Sequence, residues 1–232
     1  MEPGWTSGKR QVNGLSLHVV EVGPADGPLF VLLHGFPEFW WAWRHQITPL
    51  AERGYRVVVP DMRGYDLSDA PHPDLWAKQA LKHPIQALRS TYVALFQLPW
   101  PPWLPEAALG ALDFAGLRAM VEGSARADAF KPGEMERYAE AWAHPGSLTA
   151  MLNYYRALRD RRAANPPARI APPTLVLWGE RDSFLEHSVA RAALKLCGDG
   201  RLVIAEGATH WLHLEEPARV NAEIISFLGG PG

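Results

Sequence analysis

Hydrophobic and polar positions change their period twice along this chain. From Leu15 to Asp61 the pattern is that of strands: "LSLHVVEV" alternates, whereas "LFVLL" and "RVVVP" are short continuous runs of the kind buried on both faces of a parallel sheet. "GPADG" marks a turn between the first two runs, and "EFWWAWRHQITPLAERG" predicts a helix closed by Gly54. From about Asp74 to Arg162 the period is helical. Leu81, Ile85, Leu88, Tyr92, Leu95 and Phe96 form one stripe, with a break or kink at Pro84. Met135, Tyr138 and Trp142 form a second. Leu148, Met151, Leu152, Tyr155 and Leu158 form a third, with Ser147 as its candidate N-cap. Strands return after Pro172: "TLVLWG", a helical "EHSVARAALKL" ended by Gly198, "RLVIAEG", and a last helix "EPARVNAEIISFL".

This order predicts an α/β protein, a mostly parallel sheet interrupted by a helical insertion. Residues 1–70 and 169–232 would build the two parts of the core, and residues 71–168 a helical lid. At 232 residues and 47% hydrophobic content the chain can bury one sizeable core. Its net charge of -2, with no basic run, excludes nucleic acid as an expected partner. A lone cysteine, Cys197, excludes an internal disulfide and a thiolate metal cluster. No apolar run approaches the roughly 18 residues of a membrane span, and the N-terminus lacks an apolar core of signal-peptide type, so a cytoplasmic location is expected. Ten Trp and 21 Pro are many for this length, and their clusters in "PEFWWAW" and "LPWPPWLPE" read as rigid walls of an apolar pocket or, the commoner fate of a Trp, as ordinary core.

Candidate chemistry belongs at the C-terminal ends of the strand runs, where open α/β sheets place their ligands. "LFVLLHGFPE" ends in a Gly turn that would aim the backbone N–H of Phe36 at a developing oxyanion, or be a tight structural turn and nothing more. "TLVLWGERD" places Asp182 where a carboxylate could orient an imidazole, and "LVIAEGATHW" places His210 where it could act as a general base. Each alone also reads as a capping or solvated residue. Together, on successive strand exits and in the order acid then histidine, they follow the tail order of α/β-hydrolase triads.

The phrases "HGFPEFWWAWRHQI", "PDMRGYDLSD", "YVALFQLPW", "LNYYRAL", "LWGERDSFL" and "GATHWLHLEEPARVNAEIISFL" resemble the epoxide hydrolases of the α/β-hydrolase fold. The resemblance implies that His34, Gly35, Phe36 and Pro37 form an oxyanion loop. It implies that Asp182 orients His210, the base that activates water. Tyr92 and Tyr155 would be the lid phenols that bind the epoxide oxygen, with Tyr154 as the alternative to Tyr155; on periodicity alone both positions also read as core. The implied partner is a small apolar or aromatic epoxide, and no metal or organic cofactor is expected.

One part of the pattern is missing. The family reaction starts with an aspartate in a strand-turn-helix elbow resembling G-x-nucleophile-x-G. Only "GWTSG", centred on Thr6, and "GPADG", centred on Ala25, have that spacing here. The chain passes from "RGYDLSDAP" directly to "HPDLW", as though the nucleophile strand, its helix and the next strand were absent between two similar short sequences. Asp66 and Asp69 are the carboxylates nearest that junction. The expectation is therefore a chain of epoxide hydrolase ancestry, inactive or severely impaired, with strand edges left open to self-association. The alternatives are a pseudoenzyme binding apolar ligands and a dehalogenase-type hydrolase. A serine esterase is disfavoured because no Ser occupies an elbow.

Overall fold

The computed structural model describes residues 2–69, 96, 103–157 and 169–229. In chain order the described strands and α-helices are β1 (Thr6–Val12), β2 (Leu15–Val22), β3 (Leu29–Val31), α1 (Arg44–Glu52), β4 (Arg56–Pro60), α2 (Leu104–Ser124), α3 (Glu134–Trp142), α4 (Ser147–Arg156), β5 (Thr174–Gly179), α5 (His187–Leu194), β6 (Gly200–Ala205), α6 (Leu212–Glu215) and α7 (Pro217–Phe227), with a 3-10 turn at Trp40–Trp43. They divide between two compact units. One comprises Met1–His72, Phe130–Met151 and Glu216–Gly232; the other comprises Pro73–Ala129 and Leu152–Glu215.

In the first unit a four-stranded sheet has the order β1-β2-β4-β3. β2 is antiparallel to both β1 and β4, and β3 runs parallel to β4. β1 is absent from the expected elements because its pattern is polar and exposed. The signal for it was the dipeptide Asn13-Gly14, whose φ values of 51° and 78° suit a two-residue hairpin turn. Leu32, Val57, Val59 and Val20 pack with Ile47 and Leu50 of α1 and with Trp5 to form the core. α7 lies along α1, where Asn221 Nδ2 donates to the His45 carbonyl at 2.9 Å. On α3, the expected stripe of Met135, Tyr138 and Trp142 is buried.

Two expectations change here, and one alternative is favoured. "LFVLL" is not buried on both faces: Leu32 is 5% exposed, but Leu29, Val31 and Leu33 are 63%, 46% and 54% exposed. The Trp residues of "PEFWWAW" are partly buried and pack against the core around Trp5, with ring centroids 5.9 Å (Trp40) and 6.4 Å (Trp41) from it, in line with the core reading of that cluster. Ser147 begins α4 as a helical residue, and its buried Oγ makes none of the capping bonds expected of it.

In the second unit β5 and β6 pair in parallel, from Thr174 opposite Gly200 to Gly179 opposite Ala205, with α5 as the crossover. Between residues 103 and 157 every described element is a helix, as the period predicts. α2 is broken at Ala111–Phe114, where Leu112, Asp113 and Phe114 have positive φ. Of the first helical stripe only Phe96 lies among the described residues, and it is buried. Among the described residues no strand falls between β4 and β5.

Candidate active site

The exits of β5 and β6 bring Asp182 and His210 together. His210 Nδ1 lies 2.8 Å from Asp182 Oδ2, with the carboxylate side chain 6% and the imidazole 30% exposed. The other carboxylate oxygen, Oδ1, accepts the backbone N–H of Phe184 at 2.8 Å and of Leu185 at 2.9 Å. Both oxygens are thus committed, which fixes the plane of the carboxylate against the ring. A proton on Nδ1, donated to Asp182, turns Nε2 into the basic nitrogen. Phe184 and Trp211 each stand edge-on to the imidazole, with ring centroids at 5.2 Å.

Residues that the sequence pattern did not single out hold this pair in place. Glu215, buried on α6, accepts from Thr209 N (2.7 Å), Thr209 Oγ1 (2.6 Å) and Arg126 N (2.8 Å). It therefore anchors the residue just before His210. Trp211 Nε1 donates to Ser124 Oγ at 3.0 Å. Gly179, the last residue of β5, lies so close to the 208–209 backbone that a Cβ there would collide with the carbonyl oxygens of Thr209 and Ala208. No periodicity marks these residues, since their work is tertiary. A glycine ending a strand was the one available hint.

The segment His34–Pro37 leaves β3 in the first unit. His34 is buried, and its Nε2 accepts the Met62 N–H at 2.9 Å while Nδ1 donates to the Gly35 carbonyl at 3.1 Å. Burial holds its pKa below the usual histidine value, consistent with a neutral ring. His34 therefore ties the β3 exit to the β4 exit. The Phe36-Pro37 peptide is cis. Pro37 O accepts from Trp142 Nε1 at 2.6 Å, and Glu38 N donates to Gly35 O at 2.9 Å, so α3 and the turn itself both fix the loop.

Tyr155 is half-buried near the end of α4, with its ring 5.2 Å from that of Phe96; Tyr154 is also half-buried. The last turn of α4 is fastened by Arg156, which pairs with both oxygens of Glu106 at 2.7 and 2.9 Å. Tyr92 lies outside the described residues. The two elbow-spaced glycine pairs are not elbows. Thr6 sits in β1 with its hydroxyl donating to Glu21 O at 3.0 Å, and Ala25 lies in a turn where Gly27 N donates to Pro24 O. Asp69 is taken up locally by Ser16 N at 2.7 Å, and Asp66 pairs with His144 at 3.1 Å.

Comparison with known proteins places these features in a family. A family model described as alpha/beta hydrolase fold matches residues 28–93, and one described as alpha/beta hydrolase family matches residues 84–223. The AB hydrolase superfamily protein YfhM of Bacillus subtilis is 36% identical over 275 residues, covering 93% of this chain and 95% of the relative. Mouse epoxide hydrolase 3 is 30% identical over 278 residues, covering 93% of this chain and 74% of its own length. In fold the chain is similar to an inhibitor-bound epoxide hydrolase of Bacillus megaterium, with a TM-score of 0.82 at 21% identity over 96% of this chain and all of that one. With its acid and histidine on successive strand exits, the chain belongs to the epoxide hydrolase family and has the α/β-hydrolase fold.

Proposed function

We propose that this chain keeps the water-activating half of an epoxide hydrolase and lacks the half that opens the ring. The observation that carries the reading is the Asp182–His210 pair, 2.8 Å apart, with the remaining carboxylate oxygen held by two backbone N–H groups. Such a pair suits removal of a proton from water as it attacks an ester. In the complete reaction an aspartate would open the epoxide, and phenols such as Tyr155 and Tyr92 would bind the developing alkoxide. His210 would then deliver water to the aspartyl ester, and the resemblance gives the His34–Pro37 segment the family's role of oxyanion donor. The product would be a vicinal diol. Without the first carboxylate no ester forms, and the sequence holds no elbow to supply one.

An internal gap is supported by the length of the match. The alignment with the Bacillus subtilis relative runs over 275 residues yet draws on 93% of a 232-residue chain, so the relative carries residues with no counterpart here. Two βα units at about 30 residues each would account for a gap of roughly 60. The junction falls at Ala70-Pro71, and resequencing the source DNA across Asp69 to Asp74 checks whether coding sequence once stood there. A dehalogenase would share the aspartate nucleophile but want halide-stabilising donors; the paired tyrosine positions favour epoxide.

The chemical test is intact-mass spectrometry after incubation with an aryl epoxide such as styrene oxide. An enzyme with its nucleophile accumulates a protein–substrate ester when its histidine is disabled. The expected result for the His210→Ala variant of this chain is an unmodified mass. An adduct that maps to an aspartate would contradict the reading.

A further inference from the structure

Away from the Asp182–His210 pair, the first unit buries a second set of titratable side chains at the point where β4 ends. Asp61 is fully buried; its Oδ2 lies 2.6 Å from His18 Nδ1 of β2, and its Oδ1 accepts the Trp40 N–H at 2.8 Å. The other His18 nitrogen meets Ser7 Oγ of β1 at 2.8 Å. Asp66, whose side chain is 8% exposed, brings a carboxylate oxygen within 4.8 Å of Asp61, and its Oδ1 lies 3.1 Å from His144 Nε2, between α3 and α4. His34, whose ring is buried and neutral, senses the Asp61 charge from the β3 exit. A ring nitrogen of His18 and carboxylate oxygens of Asp61 and Asp66 all lie within 4.8 Å of one another.

Two carboxylates this close in a buried site cannot both ionise cheaply. Asp61 already has His18 Nδ1 at 2.6 Å and the Trp40 N–H at 2.8 Å, whereas burial raises the Asp66 pKa, so Asp66 is the carboxyl group that keeps the proton. The same residues hold the loop that follows. Ser68 Oγ bridges the His18 N–H (2.9 Å) and the Asp61 carbonyl (2.8 Å), Gly64 N donates to Asp69 O at 2.8 Å, and Ser68 N donates to Tyr65 O at 3.0 Å. Asp66 itself has φ of 44°, a left-handed conformation that its hydrogen bonds must sustain.

We propose that Asp61 and Asp66 share one proton and act as an acid-closed latch, holding the 62–69 loop against the end of β4 and releasing it when that proton is lost to solvent. Once ionised, Asp66 faces a second carboxylate. The imidazole of His144, 39% exposed, lies 3.1 Å from its Oδ1. Burial first, then the Asp61 charge and the hydrogen bond to Asp61, push the Asp66 pKa up to about 7 from 3.8, against a smaller opposing effect of His18. Because the folded value is the higher one, the contribution is complete below the ordinary carboxylate range and is lost as pH rises through about 7.

Hydrogen exchange of the Gly64 and Ser68 amides, corrected for the intrinsic pH dependence of exchange, tests the latch. Protection in the wild-type chain should fall by up to about tenfold per pH unit on approach to neutrality and level off above it. Asp66→Asn keeps the hydrogen-bonding shape, tolerates a left-handed φ and cannot ionise, so its protection should not vary with pH. His144→Gln should retain the wild-type dependence. The proposal fails if wild-type protection is flat or absent at every pH, or if Asp66→Asn behaves like the wild type. It fails too if His144→Gln abolishes the dependence, or if zinc or calcium ions restore protection at alkaline pH, which would make the shared ligand a cation. Should Asp66→Asn not fold, the infrared band of a protonated carboxyl group in the wild-type chain decides. It must persist to near neutral pH, and its loss at ordinary carboxylate pH overturns the latch.

Discussion

At the scale of single residues, the chemistry and its support differ in how openly the sequence displays them. Asp182 and His210 are legible only as a pair, since each alone also reads as a capping or solvated residue and the order acid then histidine on successive strand exits carries the signal. Gly179 and Glu215 are not, since each acts on backbone atoms distant in sequence. Gly179→Ala is the sharpest check of that support: the new methyl group meets the carbonyl oxygens of Thr209 and Ala208, and rigid backbone has little room to yield. The expected cost is about 3 kcal/mol of stability in urea denaturation. The His210 imidazole resonance should shift as the 207–210 loop is displaced. A variant as stable as the parent would mean that the loop relaxes away from β5. His34 carries a different lesson. Its place in "HGFP" signalled an oxyanion turn, yet its ring spends both nitrogens on the Met62 N–H and the Gly35 carbonyl, so the side chain serves the loop and leaves any donation to the backbone.

At the scale of elements, apolar period located β2, β4, β5, β6, α3 and α4, but it failed where burial and pattern part company. β1 is polar along its length and is held by pairing with β2, so only the Asn-Gly turn betrays it. β3 fails in the opposite sense. "LFVLL" is apolar throughout, as a strand flanked on both sides would be, yet three of its residues face outward. Such a row, with no charge or proline within it, invites pairing with another chain. Self-association that rises with protein concentration is expected in sedimentation experiments, and Val31→Lys should reduce it. Since Val31 is 46% exposed, the lysine should change stability by no more than about 0.5 kcal/mol. Association undiminished by the lysine would place the contact elsewhere.

At the scale of the whole molecule, the family was readable from phrases spread over the chain, because each phrase serves a local geometry that survives without the segment proposed to be lost. Those same local geometries are intact here: the carboxylate clamped to its histidine, the turn after β3 fixed by Trp142, and the last turn of α4 fixed by Arg156. What the reaction requires beyond them is a nucleophile, and both elbow-spaced glycine pairs lie in a hairpin strand and a turn. Diol formation from styrene oxide by the purified chain, followed beside its His210→Ala variant, tests this most directly. The account predicts no diol above the buffer rate from either protein. Diol production by the parent chain that disappears in the variant would contradict it, and would mean that another carboxylate has taken the place of the missing aspartate.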